Sequence, residues 1–207
     1  MEITVGITGA SGTIYGKRTV QLLIESGVVK TINLILSGTV PTVAQVELGV
    51  NLKDATQAKI NEWLELPADS KLVRYWQLGN LAAKPSSGSN KQIGMIIVPC
   101  SMGTLGAIAS GACSNLIHRA ADVCLKEGRK LVIVPRETPF NQIHLENMLR
   151  LSNAGARILP ASPSFYHKPK TIDDLVNHLC YRILDQFDIP HERKTQWTGD
   201  EIEQVKS

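Results

Sequence analysis

Hydrophobic positions along the chain gather into short unbroken runs at Ile3–Thr8, Ile32–Leu36, Gly94–Val98 and Leu131–Val134, rich in β-branched residues. A strand half-exposed to water alternates apolar and polar residues, and these runs do not. They predict strands covered on both faces, as in a parallel sheet whose crossovers are helices. Leu72–Trp76 and Arg157–Leu159 are weaker strand candidates. Between the runs the apolar positions take helical spacing over Gly12–Ser26, Pro41–Leu48, Ala55–Leu64, Thr104–Ala109, Asn115–Lys126, Gln142–Ala154 and Ile172–Phe187. Strand alternating with helix predicts an α/β fold, a three-layer doubly wound parallel sheet that is Rossmann- or flavodoxin-like. Gly79–Lys91 reads as an exposed loop.

The 207 residues suit one domain, expected over residues 1–190, with a polar tail at 191–207 placed to contact a neighbouring subunit. Lys and Arg number 22 against 19 Asp and Glu, and no block of like charge marks a nucleic-acid or membrane footprint. Gln92–His118 carries none of these charges and is long enough to span a bilayer. Its Pro99, Gly103, Gly106 and Gly111 instead predict a strand, a turn and a helix. Cys100, Cys113, Cys124 and Cys180 have no metal-ligand spacing, so reduced thiols and no metal are expected. The N-terminus lacks the basic head of a secretory signal, which suggests a cytoplasmic protein.

In such sheets ligands bind beyond the carboxyl ends of the strands, and the unusual residues of this chain collect there. The first strand runs into Gly9-Ala10-Ser11-Gly12, the second into Ser37-Gly38-Thr39, the central one into Ser101-Met102-Gly103-Thr104 and the next into Arg136-Glu137-Thr138. Small residues at a strand-to-helix turn let backbone N–H groups approach an anion. The same glycines also serve tight turns, and Ser101 is equally placed as a helix cap. A nicotinamide dinucleotide site normally places Asp or Glu after the second strand, where this chain has Ser37, so a mononucleotide flavin fits better.

Arg119, Lys126, Arg136 and Arg182 lie in or beside apolar segments. Each has a candidate structural partner among Asp122, Glu137 and Asp185. Arg136-Glu137 differs from the rest because both charges follow an apolar strand at the ligand edge. Pro163–Pro169 contains Phe165, Tyr166 and His167 and reads as a rigid aromatic turn. Asp173 and Asp174 suggest a metal pair at first sight, but Thr171 with Asp174 three residues on is better read as a helix cap.

In combination and order, GITGASG, CSMGTLGAIASG, NLIHRAADVCLKEGRKLVIVPRETPF and FYHKPKTIDDLVNHLCYRILD resemble the UbiX-type flavin prenyltransferases. The resemblance covers nearly the whole chain. It implies transfer of a dimethylallyl group from dimethylallyl monophosphate to N5 and C6 of reduced FMN, without a metal. It also implies a homododecamer with shared active sites and a UbiD-type decarboxylase as recipient of the product. By matching position, Gly9, Ala10, Ser11, Ser37, Ser101, Met102, Gly103, Thr104 and Arg119 would hold FMN. Lys126, Arg136, Glu137, Tyr166 and Arg182 would surround the prenyl phosphate. Ser11, Glu47, Glu137, Tyr166 and Trp197 match catalytic positions. Two other readings compete. An FMN-dependent decarboxylase of the phosphopantothenoylcysteine type relies on a histidine after the second strand, and residues 37–51 contain none. A non-enzymatic flavin carrier would leave the cations unexplained.

Overall fold

A computed structural model describes residues 1–192. Its elements are β1 (Glu2–Ile7), α1 (Thr13–Glu25), β2 (Thr31–Leu36), α2 (Val40–Leu48), α3 (Gln57–Trp63), β3 (Val73–Trp76), β4 (Gly94–Cys100), α4 (Met102–Ala109), α5 (Leu116–Lys126), β5 (Lys130–Pro135), α6 (Gln142–Asn153), β6 (Arg157–Ile158) and α7 (Ile172–Asp185). The strands form one parallel sheet in the order β3-β2-β1-β4-β5-β6, the Rossmann-type arrangement. Both weak strand candidates belong to it, as its edges. Gln92–His118 becomes β4, α4 and the start of α5, and among the described residues no helix is long and apolar enough to cross a membrane.

The unbroken apolar runs work because neighbouring side chains serve different cores. Ile3, Val5, Ile7, Ile96, Val98, Val132 and Val134 face one core, shared with Val20, Leu23, Leu179 and Ile183 of α1 and α7. Met95, Ile97, Leu131 and Ile133 face the other, with Leu105, Ile117, Ala120 and Leu151 of α4, α5 and α6. The four inner strands β1, β2, β4 and β5 are thus buried on both faces, which is why no polar alternation is present in their sequences.

Helix starts follow local capping chemistry. Thr56, Ser101, Asn115, Asn141 and Thr171 each accept a backbone N–H in the first turn, and so set where α3, α4, α5, α6 and α7 begin. Thr171 and Asp174 form a reciprocal box in which Asp174 accepts from the Lys170 and Thr171 amides at 2.9 Å. Gly12 precedes α1 at φ 100°, a left-handed conformation that glycine alone adopts without strain.

The loop expected to be exposed at Gly79–Lys91 is partly buried. Ala83, Pro85 and Asn90 are covered, Lys84–Ser86 makes a 3₁₀ turn, and Lys84 pairs with Glu2 at 2.6 Å. Its polar composition hid two small apolar anchors, which pack this segment beside α5.

Candidate functional site

The strand order reverses between β1 and β4, the place where the carboxyl-end loops of such a sheet part to form a ligand crevice. Thr8, the polar residue closing the first apolar run, ties the two strand ends together. Its hydroxyl donates to the Pro99 carbonyl at 2.8 Å and accepts from the Ser101 amide at 2.8 Å. Pro99 lacks an N–H, and the pairing of β4 with β5 shifts register between Ile97 and Cys100. Thr8 thus fixes the direction in which Ser101 leaves the sheet. Sequence reasoning had missed it, although a hydroxyl ending an otherwise apolar strand is a readable signal.

Two helices begin at this crevice, and their N-termini differ. At α1, the Glu47 carboxylate accepts from the Gly12 amide at 2.9 and 3.0 Å and from the Thr13 amide at 2.9 Å. Glu47 comes from the last turn of α2, so the first Gly-rich loop holds an internal anion at its helix end. At α4, Ser101 accepts from the Thr104 amide at 3.3 Å and its hydroxyl donates to Thr104 Oγ1 at 3.1 Å. The Met102 and Gly103 amides, like those of Gly9, Ala10 and Ser11, have no intramolecular partner among the described residues. The Met102 side chain is buried in the second core, so only its backbone faces the crevice.

Desolvation pushes the Glu47 carboxyl up, but hydrogen bonds from Ser11, Gly12 and Thr13 outweigh it and hold the group below its ordinary 4.5. A carboxylate with a depressed folded pKa stabilises fully above its unfolded value, and loses that contribution as pH falls through the folded value. The difference in melting temperature between the wild type and Glu47→Gln is therefore expected to stay constant from about pH 8 to about pH 5 and to shrink only below that. A difference that widens on acidification contradicts this clasp.

The second loop presses on the first. A Cβ on Gly9 would lie 1.8 Å from Thr39 Oγ1, and Ser37 Oγ stands 3.2 Å from that same hydroxyl. Nothing lies within 4 Å of a Cβ built on Gly38 or Gly103, so the crevice is open on those sides. Arg136 leaves β5 with its amide on the Cys100 carbonyl at 3.1 Å. Burial, then Cys180, raise the Tyr15 phenol, and the Arg136 charge draws it part of the way back down. Glu137 follows it, exposed, with one oxygen on the Thr138 amide.

The remaining candidates fall in two other places. Tyr166 sits in the loop after β6, which starts against the end of β5 through an Ala161 amide to Pro135 carbonyl bond of 3.0 Å. Its hydroxyl is 3.2 Å from Nε2 of His178 on α7. Arg182, one turn beyond His178, pairs with Asp185 at 2.8 Å. Arg119 and Lys126 lie on α5, against the segment at 79–91. Arg119 bonds the Ser86 carbonyl and pairs with Asp122 at 2.7 Å, while Lys126 pairs with Glu127 beside Gly88. Because Lys126 ends α5 four residues before β5 starts, it sits at the amino edge of the sheet, opposite the crevice. Trp197 lies outside the described residues.

One chain therefore assembles Gly9, Ala10, Ser11, Ser37, Glu47, Ser101, Met102, Gly103, Thr104, Arg136 and Glu137 at the crevice. Tyr166 and Arg182 lie along its β6–α7 flank, Arg119 is in the first turn of α5 against the segment at 79–91, and Lys126 lies at the opposite edge of the sheet. Among the described residues no group of three or more His, Cys, Asp or Glu is arranged to hold a metal ion.

The sequence profile of the flavoprotein family matches residues 1–184. A curated flavin prenyltransferase UbiX from Alkalihalophilus pseudofirmus is 48% identical over 195 residues, covering 94% of this chain and 95% of the relative. Among solved structures, a dodecameric FMN-dependent UbiX-like decarboxylase from Escherichia coli O157:H7 superposes with a TM-score of 0.85 at 40% identity, covering 96% of this chain and 100% of the other. AnUbiX (PadA1), solved in complex with FMN and dimethylallyl pyrophosphate, gives a TM-score of 0.81 at 38% identity, covering 95% and 98%.

Proposed function

The chain belongs to the flavoprotein family and, within it, to the UbiX-type flavin prenyltransferases, and from that premise we propose how its own residues divide the work of joining a dimethylallyl group to FMN. The carrying observation is the crevice between β1 and β4, where donor-rich loops meet Arg136 and Glu137. When bound, reduced FMN supplies the ring atoms N5 and C6 that take the prenyl unit. The donor set fits this cofactor. Ser11, Ser37, Ser101 and Thr104 offer hydroxyls, the open amides of residues 9–11 suit ring oxygens and nitrogens, and no acid follows β2. With the α1 N-terminus held by Glu47, the α4 N-terminus, with its Met102 and Gly103 amides, is the place for the FMN phosphate.

The reaction consumes dimethylallyl monophosphate and releases inorganic phosphate. Cleaving the allylic C–O bond leaves charge on that phosphate, and fixed cations stabilise it as it develops. Arg136 does so from the crevice and Arg182 from the α7 flank. Glu137 and Tyr166 hold the phosphate where it can take up the proton displaced by ring closure. Ser11 and Glu47 are linked at the opening of α1 and keep a carboxylate beside the acceptor. In this reading the ring of Trp197 would stabilise the allylic cation as the C–O bond breaks.

Lys126 and Arg119 enter through a neighbouring copy, in a dodecamer like that of the E. coli relative. α6 supports self-association, since Leu151 is its only buried residue while Ile143, Leu145 and Leu149, with Phe140 before it, face outward. A UbiD-type decarboxylase receives the prenylated flavin.

Anaerobic incubation with reduced FMN and dimethylallyl monophosphate is expected to give a flavin heavier by one five-carbon unit in mass spectrometry. Glu137→Gln and Arg182→Ala are expected to bind FMN normally and to lose prenylation by about 100-fold. Unchanged FMN from the wild type, or normal turnover by both variants, contradicts the assignment.

A further inference from the structure

We propose that His178 is a positioning residue for the prenyl phosphate, orienting the Tyr166 hydroxyl through its Nε2; the inference rests on the assignment of Tyr166 to that phosphate. His178 is buried on α7, in a turn that otherwise carries Val176, Leu179 and Cys180 into the core. A polar ring in such a place is costly unless its nitrogens find partners, and a satisfied core histidine is the ordinary explanation. The partners here do not belong to that core. Nε2 stands 3.2 Å from Tyr166 Oη and 2.9 Å from Ser164 Oγ, so both hydroxyls come from the loop that carries Tyr166 to the crevice flank.

The ring is held from two further directions. His167 stacks on it at 4.7 Å between centroids with an interplanar angle of 7°. Tyr166 meets it edge-on at 5.7 Å and 85°. Burial, followed by the nearby His167 and Arg182, keeps the His178 imidazole below the ordinary histidine range, which favours the neutral ring with a single N–H. With that proton on Nε2 the N–H is shared between Ser164 Oγ at 2.9 Å and Tyr166 Oη at 3.2 Å. The phenolic proton is then turned away from the imidazole. Arg182 lies one helical turn from His178, and the two line the same groove of about 370 Å³ with Leu159, Pro160 and Ser162. Tyr166 adjoins that groove through its contact with His178, and in the proposed site a phosphate oxygen taken by Arg182 meets a tyrosine hydroxyl whose direction His178 has set. One hydrogen bond fixed before the substrate arrives lowers the ordering that binding must impose.

His178→Phe keeps the ring and its stacking on His167 but removes Nε2, and His178→Gln returns a donor near it. In the anaerobic prenylation assay, His178→Phe is expected to raise KM for dimethylallyl monophosphate about tenfold, as loss of one hydrogen bond predicts. Turnover at saturation and FMN affinity, measured by flavin titration, are expected to stay within about twofold. His178→Gln should recover most of the loss. Tyr166→Phe should raise KM comparably, and the double variant should be no worse than Tyr166→Phe alone. A wild-type KM in His178→Phe beside a raised KM in Tyr166→Phe overturns the role of His178. So does a fall in FMN affinity or melting temperature that accounts for the change, because a merely structural histidine would give that. A wild-type KM in Tyr166→Phe overturns instead the phosphate assignment beneath the inference.

Discussion

Gly9→Ala is expected to weaken FMN binding by about 100-fold or more. The added carbon would sit 1.8 Å from Thr39 Oγ1 and 2.6 Å from Thr39 Cβ. Rotating the Thr39 side chain moves the hydroxyl but not the Cβ, so the backbone after β2 must retreat by roughly 1 Å to reach an ordinary carbon–carbon separation. That retreat carries Ser37 with it, and through α2 it draws Glu47 from the Gly12 and Thr13 amides. Overpacking of this kind costs on the order of 1–3 kcal/mol of stability, and the displaced donors cost the ligand its geometry. Flavin fluorescence titration measures the loss directly. Thr39→Gly, which removes the obstructing Cβ, is expected to restore most of the affinity in the Gly9→Ala background. Affinity near that of the wild type in Gly9→Ala alone would show that the two loops are not in contact.

Lys126→Ala and Arg136→Ala are each expected to lower prenylation by about 100- to 1000-fold, because a fixed charge facing a developing phosphate in a dry site is worth that much. The two differ in where they act. Arg136 leaves β5 at the crevice of its own chain, whereas Lys126 closes α5 at the opposite edge of the sheet. If each site takes its lysine from a neighbour, the two inactive variants complement each other when co-expressed. A mixed oligomer then carries intact sites wherever an Arg136 chain meets a Lys126 chain, restoring up to about a quarter of the wild-type activity. Co-expressed variants that stay as inactive as the single ones, with mixing verified by two affinity tags, would place both residues in one chain's site.

The fold was largely legible in advance, for a definite reason. A parallel strand buried on both faces must be apolar at every position, and Ile3–Thr8, Gly94–Val98 and Leu131–Val134 announce that condition without any tertiary information. The helix starts were legible to within a few residues because Ser, Thr and Asn caps act locally. The order of strands was not. Nothing in the apolar runs says that β4 lies beside β1, which depends on how crossovers stack. The loop at 79–91 was misjudged because Ala83 and Pro85 are too small to stand out among polar neighbours.

The candidate site divides along the same line. Gly9-Ala10-Ser11, Ser101-Met102-Gly103-Thr104 and Arg136-Glu137 could be picked out because each follows an apolar strand, and a parallel sheet sends all such loops to one edge. The sequence of the GITGASG turn suits an anion cradle and a plain tight turn equally. The structure gives its helix end to Glu47, from a helix some 35 residues further along the chain, as the Gly12 contact records. No local pattern foretells a partner that distant. The cations divide likewise, for Arg119 and Arg182 carry the i,i+3 ion pairs that spacing allows, and their sequence alone does not say which of them faces a ligand.

By itself, then, the sequence determined which segments are buried strands, where helices are capped, and which loops carry small or charged residues, because hydrophobic period and backbone capping depend on near neighbours. The tertiary structure alone decided that Glu47 closes the α1 N-terminus while α4 stays open, that Thr8 joins the two switch strands, that Lys126 faces away from its own crevice, and that His178 stands behind Tyr166. Those relations join residues brought together only when the sheet is wound and the helices are laid against it, so they depend on the packing of the whole chain.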